Sequence, residues 1–283
     1  MSGTNDWPGN ASRGEPEILV LPDNQACATA AAERIAGILA AAVNDRGRAD
    51  WATTGGSTPA GIYKHLSQAP LRDTVPWSRV NIWLGDERFV PRGDDWCNAR
   101  IGDRELVGAA PGTTLEQTTI HAWPVDEAMA LGEGGAWCAA RYIEMMRESG
   151  VPFQDGQPVL DIVLVGIGPD GHLLSVFPGS AAFDTDAPGV DIPAPDHITP
   201  KVERVTLNPR SLQVARNVMA VSHGASKASI LGEIFGPERD PRRLPAQLAR
   251  RTGATWIVDQ AAGGHLAQAQ DPGQAQARTP VEA

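Results

Sequence analysis

Residues 161–180 read DIVLVGIGPDGHLLSVFPGS. The stretch opens as a short, unbroken apolar run, Asp161-Ile-Val-Leu-Val165. A β-branched run of this length suits a strand covered on both faces, as in a parallel sheet. It stops at Gly166-Ile-Gly168-Pro-Asp170-Gly171-His172. Three glycines and a proline cannot continue a strand, so the chain turns there. In open α/β sheets, ligands sit outside the carboxyl ends of the strands. Asp170 and His172 therefore stand where chemistry is usually done, although a histidine in a turn can equally cap it or pack into the core. Gly166, Gly168 and Gly171 also match G-x-G-x-x-G, the dinucleotide fingerprint. That fingerprint needs a long helix and then a second strand ending in an acid. Here Phe177-Pro-Gly-Ser180 arrives too soon, and the next residues are rich in Pro, Asp and Gly with no strand pattern. The reading is a turn without a nucleotide.

Working outward, residues 17–21 read as a first strand, with Asp23 as N-cap of a long Ala-rich helix over residues 26–43. Further strands are expected at residues 49–53, 80–84, 119–123, 204–207, 217–222 and 255–258. Helices are expected at 60–66, 99–107, 137–149, 208–215, from Gly224 onward, and at 244–248. Residues 181–196 read as an acidic loop or flap beside the site. Strands alternating with helices point to a doubly wound, mainly parallel α/β domain.

Three strand ends carry further candidates. After residue 53 comes Thr54-Gly55-Gly56-Ser57-Thr58-Pro59. Glycines before a helix start let backbone N–H groups approach an anion, and the helix dipole assists. The plainer reading is an N-cap by Ser57 or Thr58. After residue 84 comes Gly85-Asp86-Glu87-Arg88. Taken alone, this pattern favours a structural salt-bridge cluster over a site. Lys227 falls in the first turn of a helix, against the dipole preference. It is either a solvated lysine or the partner of an anion. Cys97 reads as packing and His121 as structural.

The chain has 283 residues and a net charge of −10, without a basic run, which argues against nucleic acid and anionic membranes as partners. An anionic ligand then requires a few cations to converge locally. No apolar run approaches the length of a membrane span. The N-terminus lacks the basic and apolar regions of a signal peptide. Three widely spaced cysteines argue against a disulfide framework or a zinc site and fit a cytoplasmic protein. The expected organisation is a polar, disordered leader over residues 1–16, one α/β domain over 17–265, and a disordered tail over 266–283.

The run Gly166-Ile-Gly-Pro-Asp-Gly-His172, ending in Ser175-Val-Phe-Pro-Gly179, closely resembles the signature of the 6-phosphogluconolactonases. These share a superfamily with glucosamine-6-phosphate isomerase/deaminases. Further matches extend over about residues 18–260. The resemblance implies a modified Rossmann-like domain without a nucleotide. It implies hydrolysis of 6-phospho-D-glucono-1,5-lactone with no metal or other cofactor, and a phosphosugar lactone as the only ligand. It makes Gly55, Gly56, Ser57 and Thr58 the phosphate loop, with Thr54 departing from the more usual Ser. It places Asp86 and Arg88 near the substrate, and it turns Lys201, Arg204 and Lys227 toward the ligand. Asp170 and His172 become the acid–base pair, and Arg88 the stabiliser of the oxyanion. Trp96 and Cys97 depart from the family's Asp-Ser-Asn, and Leu173 and Leu174 from its Thr-Ala. The deaminase branch has Asp-Glu-Tyr where this chain has Asp86-Glu-Arg88. That branch also carries a glutamate after its Asp-Gly-His, where this chain has Ser175-Val-Phe177-Pro. A non-catalytic sugar-phosphate sensor is a further alternative. Such sensors carry a DNA-binding helical pair, for which the leader is too short.

Overall fold

The computed structural model describes residues 14–269. Residues 1–13 of the expected leader and 270–283 of the expected tail lie outside the described residues. In chain order the elements are β1 (Glu17–Leu21), α1 (Asn24–Arg46), β2 (Ala49–Thr53), α2 (Ser57–Leu66), α3 (Leu71–Thr74), β3 (Val80–Leu84), β4 (Asp86–Arg88), α4 (Ala99–Gly102), β5 (Thr119–His121), α5 (Val125–Leu131) and α6 (Gly135–Glu148). A hairpin of β6 (Phe153–Gln154) and β7 (Gln157–Pro158) leads to β8 (Ile162–Gly166). Then follow β9 (Gly189–Ile192), β10 (Arg204–Leu207), α7 (Ser211–Val214), β11 (Val218–Ser222), α8 (Ala228–Ile234), β12 (Ala254–Asp259) and α9 (Gln260–Ala269).

Seven strands form one sheet in the order β1-β12-β11-β8-β2-β3-β5, and every pairing in it is parallel. Successive side chains of a strand point to opposite faces. Trp51, Ile82, Ile162 and Leu164 accordingly join a core beneath α1 and α2. Ala52, Trp83, Val163 and Val165 join the core of the other face, with Tyr142, Ile143 and Met146 of α6. Both faces are covered, which is why the central strand β8 is apolar throughout rather than alternating. From β2 the chain winds through β3 to β5, and from β8 through β11 to β12. The order therefore reverses between β2 and β8, and in open α/β sheets the carboxyl ends of the strands at such a point are where a ligand crevice forms.

Helix α1 starts at Asp23, whose carboxylate accepts from the Ala26 N–H at 2.8 Å. It ends at Gly47 in the left-handed region (φ 76°), whose N–H returns to Val43. Contrary to the expectation from apolar runs, α1 is long and apolar enough to cross a membrane. Its apolarity is spread over many alanines between polar residues, so no run reveals it. Here Ala31, Ile35, Leu39 and their neighbours are buried on the sheet.

Two more expectations need correction. Residues 266–269, assigned to the tail, complete α9, and Leu266 is buried. Residues 181–196, read as strandless, contain β9. This strand pairs antiparallel with β10, which also pairs antiparallel with β4. The resulting three-stranded sheet stands beside the carboxyl end of β3, where Leu207 donates to the Gly85 carbonyl at 2.8 Å. Val190 and Ile192 are the buried positions of β9, between the prolines at 188 and 193. Such a short strand has no signal until its partners are in place. It does not revive the dinucleotide reading, because it does not join the parallel sheet.

Candidate functional site

The turn after β8 carries the reactive pair. His172 Nδ1 lies 2.5 Å from Asp170 Oδ1, and the His172 N–H donates to the same oxygen at 3.2 Å. The turn is closed by Gly168 N–H to the His172 carbonyl at 2.8 Å. Gly168 is required here, since a Cβ would stand 2.1 Å from the imidazole. Burial disfavours the Asp170 anion, but the bonds and charge of His172 and the bond from His197 outweigh it and hold the carboxyl well below its ordinary range. An ionised carboxylate only accepts hydrogen bonds. His172 Nδ1 therefore carries a proton, and in the neutral ring the lone pair falls on Nε2. The imidazole packs against Phe177, with centroids 4.7 Å apart. Lys227, at the end of a single 3-10 turn after Gly224, reaches this same loop and donates to the Ile167 carbonyl at 2.7 Å. It is half-buried rather than solvated, and desolvation lowers its pKa against the attraction of Asp170.

At the end of β2 the residue capping α2 is Gly56, and among the described residues no side-chain hydrogen bond caps the start of that helix. The plainer N-cap reading of Ser57 and Thr58 does not hold. Thr58 Oγ1 instead lies 3.0 Å from His223 Nε2, a residue that follows β11. Gly55 sits against Asn98, where a Cβ would meet Oδ1 at 2.1 Å. That Oδ1 is buried without a hydrogen-bond partner among the described residues.

The acids after β3 do not form the expected salt-bridge cluster. Asp86 is buried and ties two loops together, with Oδ1 accepting from Thr54 at 3.1 Å and Oδ2 from Ser175 at 2.7 Å. Glu87 accepts from the N–H groups of Arg88, Asn98 and Ala99, fixing the entry to α4. Arg88 pairs with neither acid among the described residues and donates to the Trp96 carbonyl at 2.7 Å. It lies directly across from Arg204 in the β4–β10 pair. Arg204 is buried, donates to the Pro200 and Val202 carbonyls, and has its pKa lowered by desolvation and by Arg88. Like charges directly opposite are unfavourable unless something compensates them. Lys201 is exposed, and no hydrogen bond or ion pair ties its side chain to the others among the described residues.

Burial pushes Glu87 up to about 7, against the pull of its amide bonds. Because that value lies above the ordinary 4.5, Glu87 supports the fold in acid. Its contribution, about 3 kcal/mol, is lost as pH rises from about 4.5 to 7. Urea midpoints followed from pH 4.5 to 8 should fall more steeply in the wild type than in Glu87→Gln. Parallel curves would dismiss Glu87 as the responsible group.

The structure thus brings Asp170, His172 and Lys227 together at one loop and Arg88 with Arg204 at the small sheet. Gly55, Gly56, Ser57 and Thr58 form the start of α2, and Asp86 is the tie between these parts. Sequence reasoning missed His197, whose Nε2 reaches Asp170 Oδ2 at 2.8 Å. It also passed over His223 and Ser175. For His223 a signal existed, since it directly follows a parallel strand. Cys97 is buried against Glu87, and desolvation together with that carboxylate pushes its thiol up to about 11, in keeping with a packing role. His121 stacks on Trp83 at 3.9 Å. No group of three or more His, Cys, Asp or Glu placed to hold a metal ion occurs among the described residues.

A parallel, doubly wound α/β sheet with a His–Asp pair after β8, beside the point where its strand order reverses, is the arrangement in which proteins of this class place a ligand site. The chain belongs to the glucosamine-6-phosphate isomerase/6-phosphogluconolactonase family, whose model matches residues 22–258. It is 29% identical to a 6-phosphogluconolactonase of Streptomyces coelicolor, over 89% of this chain and 95% of that one. It is 30% identical to one of Mycobacterium tuberculosis, over 88% and 98%. Among solved structures, the 6-phosphogluconolactonase of Trypanosoma brucei superposes with a TM-score of 0.74 at 26% identity, covering 89% of this chain and 99% of that one. A monomeric glucosamine-6-phosphate deaminase shares the fold, with a TM-score of 0.70 at 14% identity over 88% and 99%.

Proposed function

We propose that this protein hydrolyses 6-phospho-D-glucono-1,5-lactone to 6-phospho-D-gluconate by general acid–base catalysis, without a metal. The observation that carries the reading is the His172–Asp170 pair, whose fixed tautomer leaves Nε2 free to accept a proton. Water adds to the lactone carbonyl as Nε2 takes its proton. The carbonyl oxygen becomes an oxyanion, for which Arg88 supplies electrostatic stabilisation. The oxyanion collapses, the bond from the carbonyl carbon to the ring oxygen breaks, and His172 returns the proton to that oxygen. Asp170 holds the imidazole and offsets its transient charge, while Lys227 offers a cation beside the same loop.

The start of α2, with Gly55, Gly56, Ser57 and Thr58, suits the phosphate, since free N–H groups and the helix dipole favour an anion. The positive charges of Arg88 and Arg204, paired across the β4–β10 ladder, are compensated when an anionic substrate sits near them. Lys201 is assigned to the rim, and Asp86 acts through Thr54 and Ser175. We assign the domain to residues 17–269. The three cysteines are buried free thiols, in keeping with the reducing cytoplasm in which we place the protein.

The test is hydrolysis of freshly generated lactone, corrected for spontaneous opening, with and without EDTA and beside an ammonia-release assay on glucosamine 6-phosphate. Fast opening that survives EDTA, with no ammonia, supports the reading. Ammonia release would move the chain to the deaminase branch, and loss of activity in EDTA would overturn the metal-free mechanism.

A further inference from the structure

We propose that His197 is a positioning residue, holding the second oxygen of Asp170 and so setting the basicity of His172. This rests on the lactonase reading for its kinetic consequence, though not for its geometry. Asp170 is held from both sides: Oδ1 receives His172 Nδ1 at 2.5 Å, and Oδ2 receives His197 Nε2 at 2.8 Å. Both imidazoles must donate, because the carboxylate has no proton to give. The two rings also flank one aromatic side chain. Phe177 lies 4.7 Å from the His172 centroid, and His197 meets its ring edge-on at 5.8 Å. Asp170 and His172 are largely covered, at 18% and 17% side-chain exposure, whereas His197 is 55% exposed. His197 thus stands outside the reacting pair and acts on it through the carboxylate.

Its origin in the chain matters. His197 lies between β9 and β10, the strands that build the small sheet carrying Arg204. The contact ties that sheet to the reactive turn, so the placement of the arginines and of the acid–base pair are set together. The charged and titratable groups bearing on Asp170 are His172, His197 and Lys227, and Asp196 precedes His197 in the chain. Removing the His197 donor leaves more of the carboxylate charge for His172. The imidazolium is then favoured, and a higher pH is needed to free Nε2. The carboxylate also loses one of the two bonds that fix its orientation.

The experiment compares His197→Ala and His197→Gln, the latter able to keep an N–H donor. The expected result for His197→Ala is a kcat lower by about tenfold, the low end for losing an orienting partner. KM stays near the wild-type value. The acid limb of the kcat–pH profile moves up by about half a unit. His197→Gln should recover most of both effects. Independently, ring-nitrogen NMR titration of the ligand-free protein should move the His172 midpoint up in His197→Ala. An unmoved midpoint overturns the proposal whatever the activity. If the wild type opens no lactone but the midpoint moves, the lactonase reading fails and the coupling stands.

Discussion

Replacing His172 by alanine should lower kcat for the phosphorylated lactone by about 100-fold or more, the range expected for a group that moves a proton in the transition state. With Nδ1 donating to Asp170, the lone pair of the neutral imidazole falls on Nε2 and serves for proton transfer. Alanine removes both the acceptor for the water's proton and the donor for the departing ring oxygen. KM should change little, since the phosphate loop proposed above lies at the end of another strand and its helix start is built without His172. The measurement is initial-rate kinetics on fresh lactone, corrected for spontaneous opening, with the near-ultraviolet circular dichroism of the variant compared with the wild type. Near-normal turnover in a folded variant would remove His172 from the mechanism.

A comparable loss should follow from Gly168→Ala, which removes no reacting group. The added Cβ would lie 2.1 Å from His172 Cε1 and Nδ1. Atoms cannot approach so closely, so the ring or the turn must move. The ring is backed by Phe177, and the turn is held by the Gly168 to His172 backbone bond. Either shift breaks the register with Asp170. A displacement of about 1 Å in a reacting group can reduce the rate by about 100-fold. Gly166→Ala is the matched control, because a Cβ there meets nothing within 4 Å. The prediction is that Gly168→Ala loses kcat and the ring-nitrogen signature of the Nδ1 bond, while Gly166→Ala keeps both. A fully active Gly168→Ala would show that the turn tolerates a displaced imidazole.

The difference between what was legible and what was not follows the range of the interactions. The apolar run at residues 162–165 announced a strand buried on both faces, because its composition depends only on what covers it. The turns after β2, β3 and β8 were legible for a similar reason, since glycines and prolines act on their own backbone. The cluster at 86–88 was misread because sequence shows which charges are adjacent and not which groups they meet. Glu87 found the amides at the entry to α4, Asp86 found Thr54 and Ser175, and Arg88 found a carbonyl and another arginine. The small antiparallel sheet was hidden because strands of three and four residues acquire stability only from partners far along the chain.

The sequence by itself determined the parallel α/β architecture, the strand ends that carry the candidate site residues, and the His172–Asp170 pair. These follow from local rules: apolar runs choose burial, glycines choose turns, and residues two apart in a tight turn meet. Only the tertiary structure decided which loops face each other across the switch point, that Asp86 ties them, that Arg88 and Arg204 stand opposite, and that His197 completes the hold on Asp170. Those contacts join segments with no local signal of one another, and they form only when the whole sheet sets their distance.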